Sequence, residues 1–227
     1  MNTLNQFLFG IYPYIAASVF LFGSLARFER EQYTWKADSS QLLYRGQLRL
    51  GNILFHIGIL GLFFGHLVGL LTPVAVWDWL GVSHAVKQIV AMVAGGVMGS
   101  MCLAGLAILL HRRFTNARIS AVTRFGDKLL LLWILVTLLL GLTTIGASAS
   151  HMDGAMMVRF MNWAQHIVTF RGAAASYVAD APLVFRIHLF MGMTLFVIFP
   201  FTRLVHVWSG MASVTYLSRA WQLVRSR

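Results

Sequence analysis

The stretch LGNILFHIGILGLFFGHLVGLLT (50–72) decides the fold, because it is apolar over the length of a membrane helix and still carries two histidines. A hydrocarbon core about 30 Å thick is crossed by about 20 apolar residues in a helix. An imidazole has a donor and an acceptor, and leaving either unpaired in lipid is costly. The segment is therefore predicted to span a membrane, with His56 and His66 serving a function there.

Four further segments have spanning length, which makes the chain an all-α membrane protein. The sequence is 58% hydrophobic and 11% charged, whereas soluble domains carry about 25% charged residues. The predicted fold is an integral membrane bundle of five transmembrane helices, with residues 1–227 forming a single transmembrane domain. The predicted spans are Phe7–Leu25, Leu50–Thr72, Ile89–Leu110, Leu129–Ala149 and Leu183–Val207.

The net charge of +11 is unevenly distributed along the chain. Basic residues gather in the loops after the first and third spans and after the fifth, while few occupy the opposite side. By the positive-inside rule, the N-terminus lies outside and the C-terminus in the cytoplasm. The bias therefore indicates topology and lipid contact, not nucleic-acid binding. The predicted cytoplasmic basic residues include Arg27, Arg30, Lys36, Arg45, Arg49, Arg112, Arg113, Arg118, Arg124, Lys128 and Arg203.

Two more histidines, His188 and His206, lie in the fifth predicted span. The second and fifth spans cross the membrane in opposite directions. This topology pairs His66 with His188 on the outer side and His56 with His206 on the inner side. Histidine on both axial faces is the ligation of b-type haem, so two haem b groups are predicted at two depths.

The spacing of the histidines along the two spans is unequal. In continuous helices, the ligands would be about 15 Å apart on the second span and about 27 Å apart on the fifth. Eighteen residues make five helical turns, which predicts that His188 and His206 share a face. Pro200 lies between them and is expected to bend the axis and absorb part of the difference.

Glycines recur on the helix that carries His56 and His66, and the sequence leaves their role open. They give room for a flat porphyrin or allow close helix packing. A transporter of zinc or another cation is a further alternative. Its path would need carboxylates, and none of the predicted spans contains Asp or Glu, so haem is favoured. The recurring glycines are Gly58, Gly61, Gly65 and Gly69.

Arginines near the predicted cytoplasmic ends are candidates for binding the anionic haem propionates. Arg203 lies one turn before His206, and Arg112 and Arg113 close the third span on the same side. Arg186 lies two residues before His188 at the other end. The alternative is that these side chains snorkel to the interface and fix the orientation of the helices.

An electron carrier within the membrane needs a donor, and a lipid-soluble quinol is the economical choice. Lys87 is the one lysine on the predicted outer side, and His66 and Gly69 lie near the same end. Lys87 is therefore a candidate to hydrogen-bond a quinone oxygen, and a snorkelling anchor is its alternative role. His151 with Asp153 is a candidate for assisting proton release.

Two segments outside the spans are predicted to lie at interfaces. Met156–Phe170 has the alternation of an amphipathic helix on the membrane surface. The tail from Ser209 to Arg227 is expected to contact a partner or the lipid headgroups.

The chain resembles the gamma, or cytochrome b, subunit of the membrane-bound respiratory nitrate reductase over essentially its full length. The histidine-bearing stretches are the most specific, because histidine spacing, glycines and proline all agree. The matching stretches are IYPYIAASVF (Ile11–Phe20), QYTWKADSSQ (Gln32–Gln41), NILFHIGILGLFFGH (Asn52–His66), HMDG (His151–Gly154) and FRIHLFMGMTLFVIFPFTRLVHVWS (Phe185–Ser209).

The resemblance implies a bacterial inner-membrane protein with five spans and a periplasmic N-terminus. It implies two b haems with the same histidine pairing, and a quinol site beside the outer haem with Lys87 at the matching position. It also implies two cytoplasmic partners, an iron–sulfur beta subunit and a molybdenum-cofactor alpha subunit that reduces nitrate. Electrons would pass from quinol on the periplasmic side through both haems to the beta subunit. Nothing in the chain's own residues reveals nitrate or molybdenum.

Two alternatives remain at this point. The first is that the chain is a related cytochrome b subunit that serves another membrane oxidoreductase, such as a thiosulfate, heterodisulfide-type or formate system. A non-redox metal-binding membrane protein is the alternative from a different class, and it predicts that no haem is bound.

Overall fold

The computed structural model describes residues 2–31, 47–150 and 152–208. Five helices in these ranges have the length and composition to cross a membrane. The predicted all-α bundle with five membrane helices is confirmed, and its direction across the membrane stays a prediction. QYTWKADSSQ, His151 and the tail from Ser209 lie outside the described residues. The first to fifth membrane helices are Thr3–Arg30, Leu48–Leu71, His84–Thr115, Phe125–Ala149 and Leu183–Phe201.

Short helices connect the membrane helices, and side-chain caps fix where some of them begin. The Ser83 hydroxyl accepts from the Val86 N–H at the start of the third membrane helix. The Asn116 side chain does the same for the Ile119 N–H. Each satisfies an amide that has no partner within its helix. The short elements are Val74–Trp79, Ala117–Val122 and Ala155–Val168, with a 3-10 turn at Ala174–Val178.

The second and third membrane helices pack closely through glycine. A Cβ on Gly58 would collide with the Cys102 backbone, and one on Gly105 would collide with the Phe55 amide nitrogen. Small residues allow this approach, which matters in lipid because dispersion contacts replace the hydrophobic effect between helices. The third and fourth helices then share an apolar core of Cys102, Leu106, Leu110, Leu130, Leu131, Ile134 and Leu138.

The fifth membrane helix is not continuous to its second histidine, so the prediction that His188 and His206 share a helix face is wrong. The α-helix ends at Ile198 and is followed by 3-10 turns at Phe199–Phe201 and Arg203–Val205. Thr202 between them is extended, with φ −120° and ψ 179°. Pro200 has no N–H to continue the helix, which explains the break at this point. The estimate of about 27 Å between these histidines assumed a continuous helix and does not apply.

The helix Ala155–Val168, here called the surface helix, confirms the helix predicted at Met156–Phe170. Its apolar side packs on the first membrane helix, where the Trp163 indole donates to the Phe9 carbonyl at 2.9 Å. The Gln165 amide donates to the Thr72 carbonyl at 3.1 Å, just beyond the second membrane helix. The surface helix is thereby fixed to the same end of the bundle as His66. Its position relative to a membrane stays a prediction.

Candidate functional site

Two pairs of histidine rings face each other at two levels of the bundle. The ring centroids of His66 and His188 are 6.1 Å apart, and those of His56 and His206 are 6.2 Å apart. The levels are about 15 Å apart, because His56 and His66 are ten residues apart on one helix. These are the pairs that the topology argument predicted, and their role as ligands stays a prediction.

The separation within each pair suits two ligands on opposite faces of one metal ion. A metal–imidazole bond is about 2 Å long and the ligating nitrogen lies about 1 Å from the ring centre, so the two centroids should be about 6 Å apart. Both pairs have this spacing. The ring planes differ in relative orientation, at 45° for His66 with His188 and 77° for His56 with His206.

In all four histidines, Nδ1 lies within hydrogen-bond distance of a backbone carbonyl. Nδ1 lies 2.8 Å from the Asn52 oxygen for His56, and 2.7 Å from the Leu62 oxygen for His66. For His206 the acceptor is the Arg203 oxygen at 2.6 Å. A carbonyl only accepts, so Nδ1 carries the proton and Nε2 keeps its lone pair for a metal. Metal-ligating histidines usually donate their second ring nitrogen in this way.

His188 differs because its acceptor belongs to another helix. Its Nδ1 donates to the Thr137 carbonyl on the fourth membrane helix at 3.0 Å. Gly141, one turn later on that helix, lies against the same ring, and a Cβ there would be 2.8 Å from the His188 Cε1. The fourth helix therefore contacts the ring by a hydrogen bond and by a close approach.

The glycines of the second membrane helix divide into two groups. Gly58 and Gly61 pack against the third helix, at the Cys102 backbone and the Met98 side chain. A Cβ added at Gly65 or Gly69 would have no atom within 4 Å among the described residues. The close-packing alternative therefore applies to Gly58 and Gly61, while Gly65 and Gly69 border open space, and its use by a porphyrin stays a prediction.

The predicted propionate-binding arginines gather with one acidic residue at the His206 end. Arg203 pairs with the Asp127 carboxylate through Nε at 3.4 Å, and both side chains are less than a fifth exposed. Arg113 donates to the Thr123 hydroxyl at 3.5 Å, and Arg112 is buried. At the other end of the bundle, Arg186 donates to the Asn5 side chain at 3.4 Å. A cluster of guanidinium groups attracts carboxylates such as the haem propionates.

Arg27 holds the break in the fifth membrane helix. One of its guanidinium nitrogens donates to the Pro200 carbonyl at 2.7 Å and to the Thr202 carbonyl at 2.8 Å. These carbonyls need partners from outside the segment, because the helical hydrogen bonds end at the break. Arg27 therefore fixes the turn that leads into His206.

Lys87 lies buried at the junction of four elements, with 6% of its surface exposed. Its ammonium donates to the Gly69 carbonyl at 3.2 Å and to the Met161 sulfur at 2.8 Å. It lies 4.4 Å from the centroid of the Trp77 ring, a cation–π contact. A snorkelling anchor keeps its charge in water, so this burial does not fit that alternative. The structure places Lys87 beside Gly69, one turn from His66.

Comparisons with known proteins agree with this arrangement. The nitrate reductase gamma subunit family matches residues 5–227. The chain is 50% identical to the respiratory nitrate reductase 1 gamma chain of Escherichia coli over 228 residues, covering 100% of both chains. It is 36% identical to the nitrate reductase gamma chain of Bacillus subtilis over 223 residues, covering 98% of this chain and 99% of that one.

This chain belongs to the nitrate reductase gamma subunit family.

The gamma subunit is a membrane-anchor subunit of respiratory nitrate reductase and a multi-pass protein of the inner membrane. The family is the cytochrome b subunit of that enzyme, which agrees with haem binding. The predictions of family, enzyme class and localisation are confirmed.

Sequence reasoning missed four residues of this gamma subunit that hold the predicted site residues in place. Thr137 acts through its backbone carbonyl, which has no signature in sequence. Gly141 is one of many glycines in the membrane helices, so its place in an apolar run does not single it out. Asp127 and Arg27 lie at the ends of membrane helices and resemble ordinary interfacial charges.

Proposed function

We propose that this gamma subunit binds two b haems, one between His66 and His188 and the other between His56 and His206. One arrangement supports the proposal. The Nδ1 atom of each of the four rings is hydrogen-bonded to a backbone carbonyl, and the two rings of each pair have the spacing expected of two axial ligands. When bound, each haem supplies an iron that takes up and gives up one electron at a time.

The chain's own residues hold and orient the two groups. The Nδ1 hydrogen bonds fix the tautomer and the rotation of each ring, which would leave Nε2 as the nitrogen that ligates the iron. Gly65 leaves open space beside His66, as a flat ligand requires. The Arg112, Arg113 and Arg203 cluster is the proposed contact for propionates near His56 and His206.

The proposed quinol site lies at Lys87, Gly69 and His66. The hydrogen bonds within the described residues use two of the three N–H groups of the Lys87 ammonium. The third is the proposed donor to a quinol oxygen. Quinol oxidation releases two electrons and two protons, and a fixed cation beside that oxygen favours loss of the protons. On the predicted topology these protons leave to the periplasm.

The partners follow from the family and the charge distribution. The iron–sulfur beta subunit and the molybdenum-cofactor alpha subunit are proposed to lie on the cytoplasmic face, where the basic loops gather. The His56 and His206 pair lies toward that face and the His66 and His188 pair toward the quinol. Electrons from quinol would therefore cross the membrane toward the beta subunit.

A haem count of the purified complex tests the proposal. The pyridine haemochrome assay should give two b haems per gamma chain, reducible by a quinol analogue. A preparation with the correct subunits and no haem b would refute the proposal and favour a non-redox membrane protein. Co-purification of a large molybdenum subunit separates nitrate reductase from a related cytochrome b of another oxidoreductase.

A further inference from the structure

His188 depends on a helix other than its own, unlike the other three site histidines. The acceptors for His56, His66 and His206 lie three or four residues earlier in the chain. The acceptor for His188 is 51 residues away, on the fourth membrane helix. The orientation of this ring is therefore set by how the fourth and fifth helices pack.

A glycine explains why a carbonyl inside a regular helix is open to a second donor. The Cβ of a helical residue points toward the N-terminus and covers the turn before it. The residue one turn after Thr137 is Gly141, so the Thr137 carbonyl has no side chain over it. The three atoms nearest to a Cβ built on Gly141 all belong to the His188 ring, at 2.8 Å, 3.4 Å and 3.5 Å.

The fourth and fifth helices are also joined next to this contact. The Trp133 indole, one turn before Thr137, donates to the Met191 carbonyl on the fifth helix at 3.1 Å. This bond fixes the axial position of the fifth helix relative to the fourth near His188. A ring pushed away by a methyl group at 141 therefore has to rotate, because its helix is held in place.

We propose that Gly141 is a positioning residue for His188, keeping the Thr137 carbonyl accessible so that the ring stays anchored through Nδ1 with Nε2 toward His66. The inference rests on the proposed function, because it takes His188 as a haem ligand. Gly141 acts through the His188 ring, which supplies the three atoms nearest to its position.

Gly141→Ala should change the haem held by His66 and His188 and leave the other haem as it is. Losing the bond to the carbonyl makes an imidazole less basic, so it stabilises ferric iron less and the reduction potential rises. We expect the ratio of oxidised to reduced haem at a given potential to fall about tenfold, which is about 59 mV for one electron. The EPR spectrum of the same ferric haem should change, because it depends on the orientation of the imidazole planes.

The experiment is a potentiometric titration with EPR on the whole complex, using two control variants. Gly146→Ala is on the same helix, with nothing within 4 Å of the added Cβ among the described residues. Gly99→Ala places a Cβ 2.7 Å from the Leu142 side chain, a clash of similar depth that does not involve a histidine. Neither control should change one haem selectively.

Selective change or loss of one haem in Gly141→Ala alone supports the inference. Unchanged potentials and spectra, or equal changes in both haems, overturn it. If Gly141→Ala does not assemble, the double variant Gly141→Ala with His188→Ala tests whether the added methyl group clashes with the His188 ring. Assembly of the double variant locates the clash at the ring, and its failure assigns Gly141 to general packing. A wild-type complex without haem would instead refute the proposed function.

Discussion

The two histidine pairs have nearly equal ring separations but are held by different kinds of structure. His188 lies within a regular helix and is anchored to the Thr137 carbonyl of a neighbouring helix. His206 follows a broken helix and is anchored within its own turn, while Arg27 holds the break. The same spacing is thus reached once through the packing of regular helices and once through an irregular segment.

The difference shows where backbone acceptors come from in a membrane bundle. Within a regular helix a carbonyl already has a partner, so a second donor such as the His188 ring has to share the acceptor at Thr137. At a helix break the carbonyls are free for a donor such as Arg27. Substitutions away from the histidines should therefore act on one pair at a time.

The largest expected effect is the loss of one haem when one axial ligand is removed. His188→Ala and His206→Ala should each retain about half of the wild-type haem, because one imidazole alone holds the iron poorly. The retained haem should differ between the two variants in its absorption spectrum and its potential. Haem content and redox difference spectra of each complex check this.

The two spectra provide an internal control. Their sum should reproduce the wild-type spectrum if the pairs are independent. Loss of both haems in both variants, with the subunits still assembled, would contradict two separately held sites. His111→Ala serves as the matched control, because His111 lies at the end of the third helix outside both pairs.

The next largest effect is expected at Lys87, which lies near only one of the pairs. Lys87→Ala removes a hydrogen bond from a charged donor, worth about 1.5–3 kcal/mol, so quinol oxidation should slow about 10- to 100-fold. Both haems should remain bound. Steady-state kinetics with a quinol analogue and a haem count check the two halves of this prediction.

Lys128→Ala is the control, since its ammonium contacts the Ser120 hydroxyl beside the fourth membrane helix. If the rate of quinol oxidation is the same in Lys87→Ala and Lys128→Ala, Lys87 does not take part in the quinol site. Its role would then be to cap the Gly69 carbonyl.

The sequence predicted the histidine pairs and the membrane helices because both rest on simple physics. Apolar length identifies the helices, and opposite chain directions bring His66 to His188. Pro200 indicated a bend, but the extended Thr202 and its two neighbouring turns depend on Arg27, which lies more than 170 residues away. The Thr137 carbonyl could not be predicted, since a backbone acceptor looks the same at every residue. The glycines of the second helix were ambiguous because Gly58 and Gly65 have opposite surroundings.

Arg27→Ala should weaken haem binding at the His56 and His206 pair about tenfold, the lower end for residues that support a metal ligand. Without the guanidinium, the Pro200 and Thr202 carbonyls lose a charged donor and the turn carrying His206 loosens. The haem at His66 and His188 should keep its potential. Haem retention during dilution of the purified complex measures the effect.

Arg30→Ala, an exposed arginine on the same helix, separates the loss of charge from the loss of these contacts. Equal haem loss in both variants would mean that the net charge of this face matters and the break does not.

The smallest expected effect belongs to Asp127, whose carboxylate pairs with Arg203 near His206. Asp127→Asn removes a negative charge beside the proposed propionate site, and partly exposed ion pairs contribute about 1 kcal/mol or less. Reduction adds an electron, so a more positive surrounding favours the reduced haem and its potential should rise slightly. Redox titration should show this rise only for the haem of His56 and His206, because the other pair lies about 15 Å further along the bundle. A larger rise at the His66 and His188 haem would show that its propionates, and not those of the His206 site, approach Arg203.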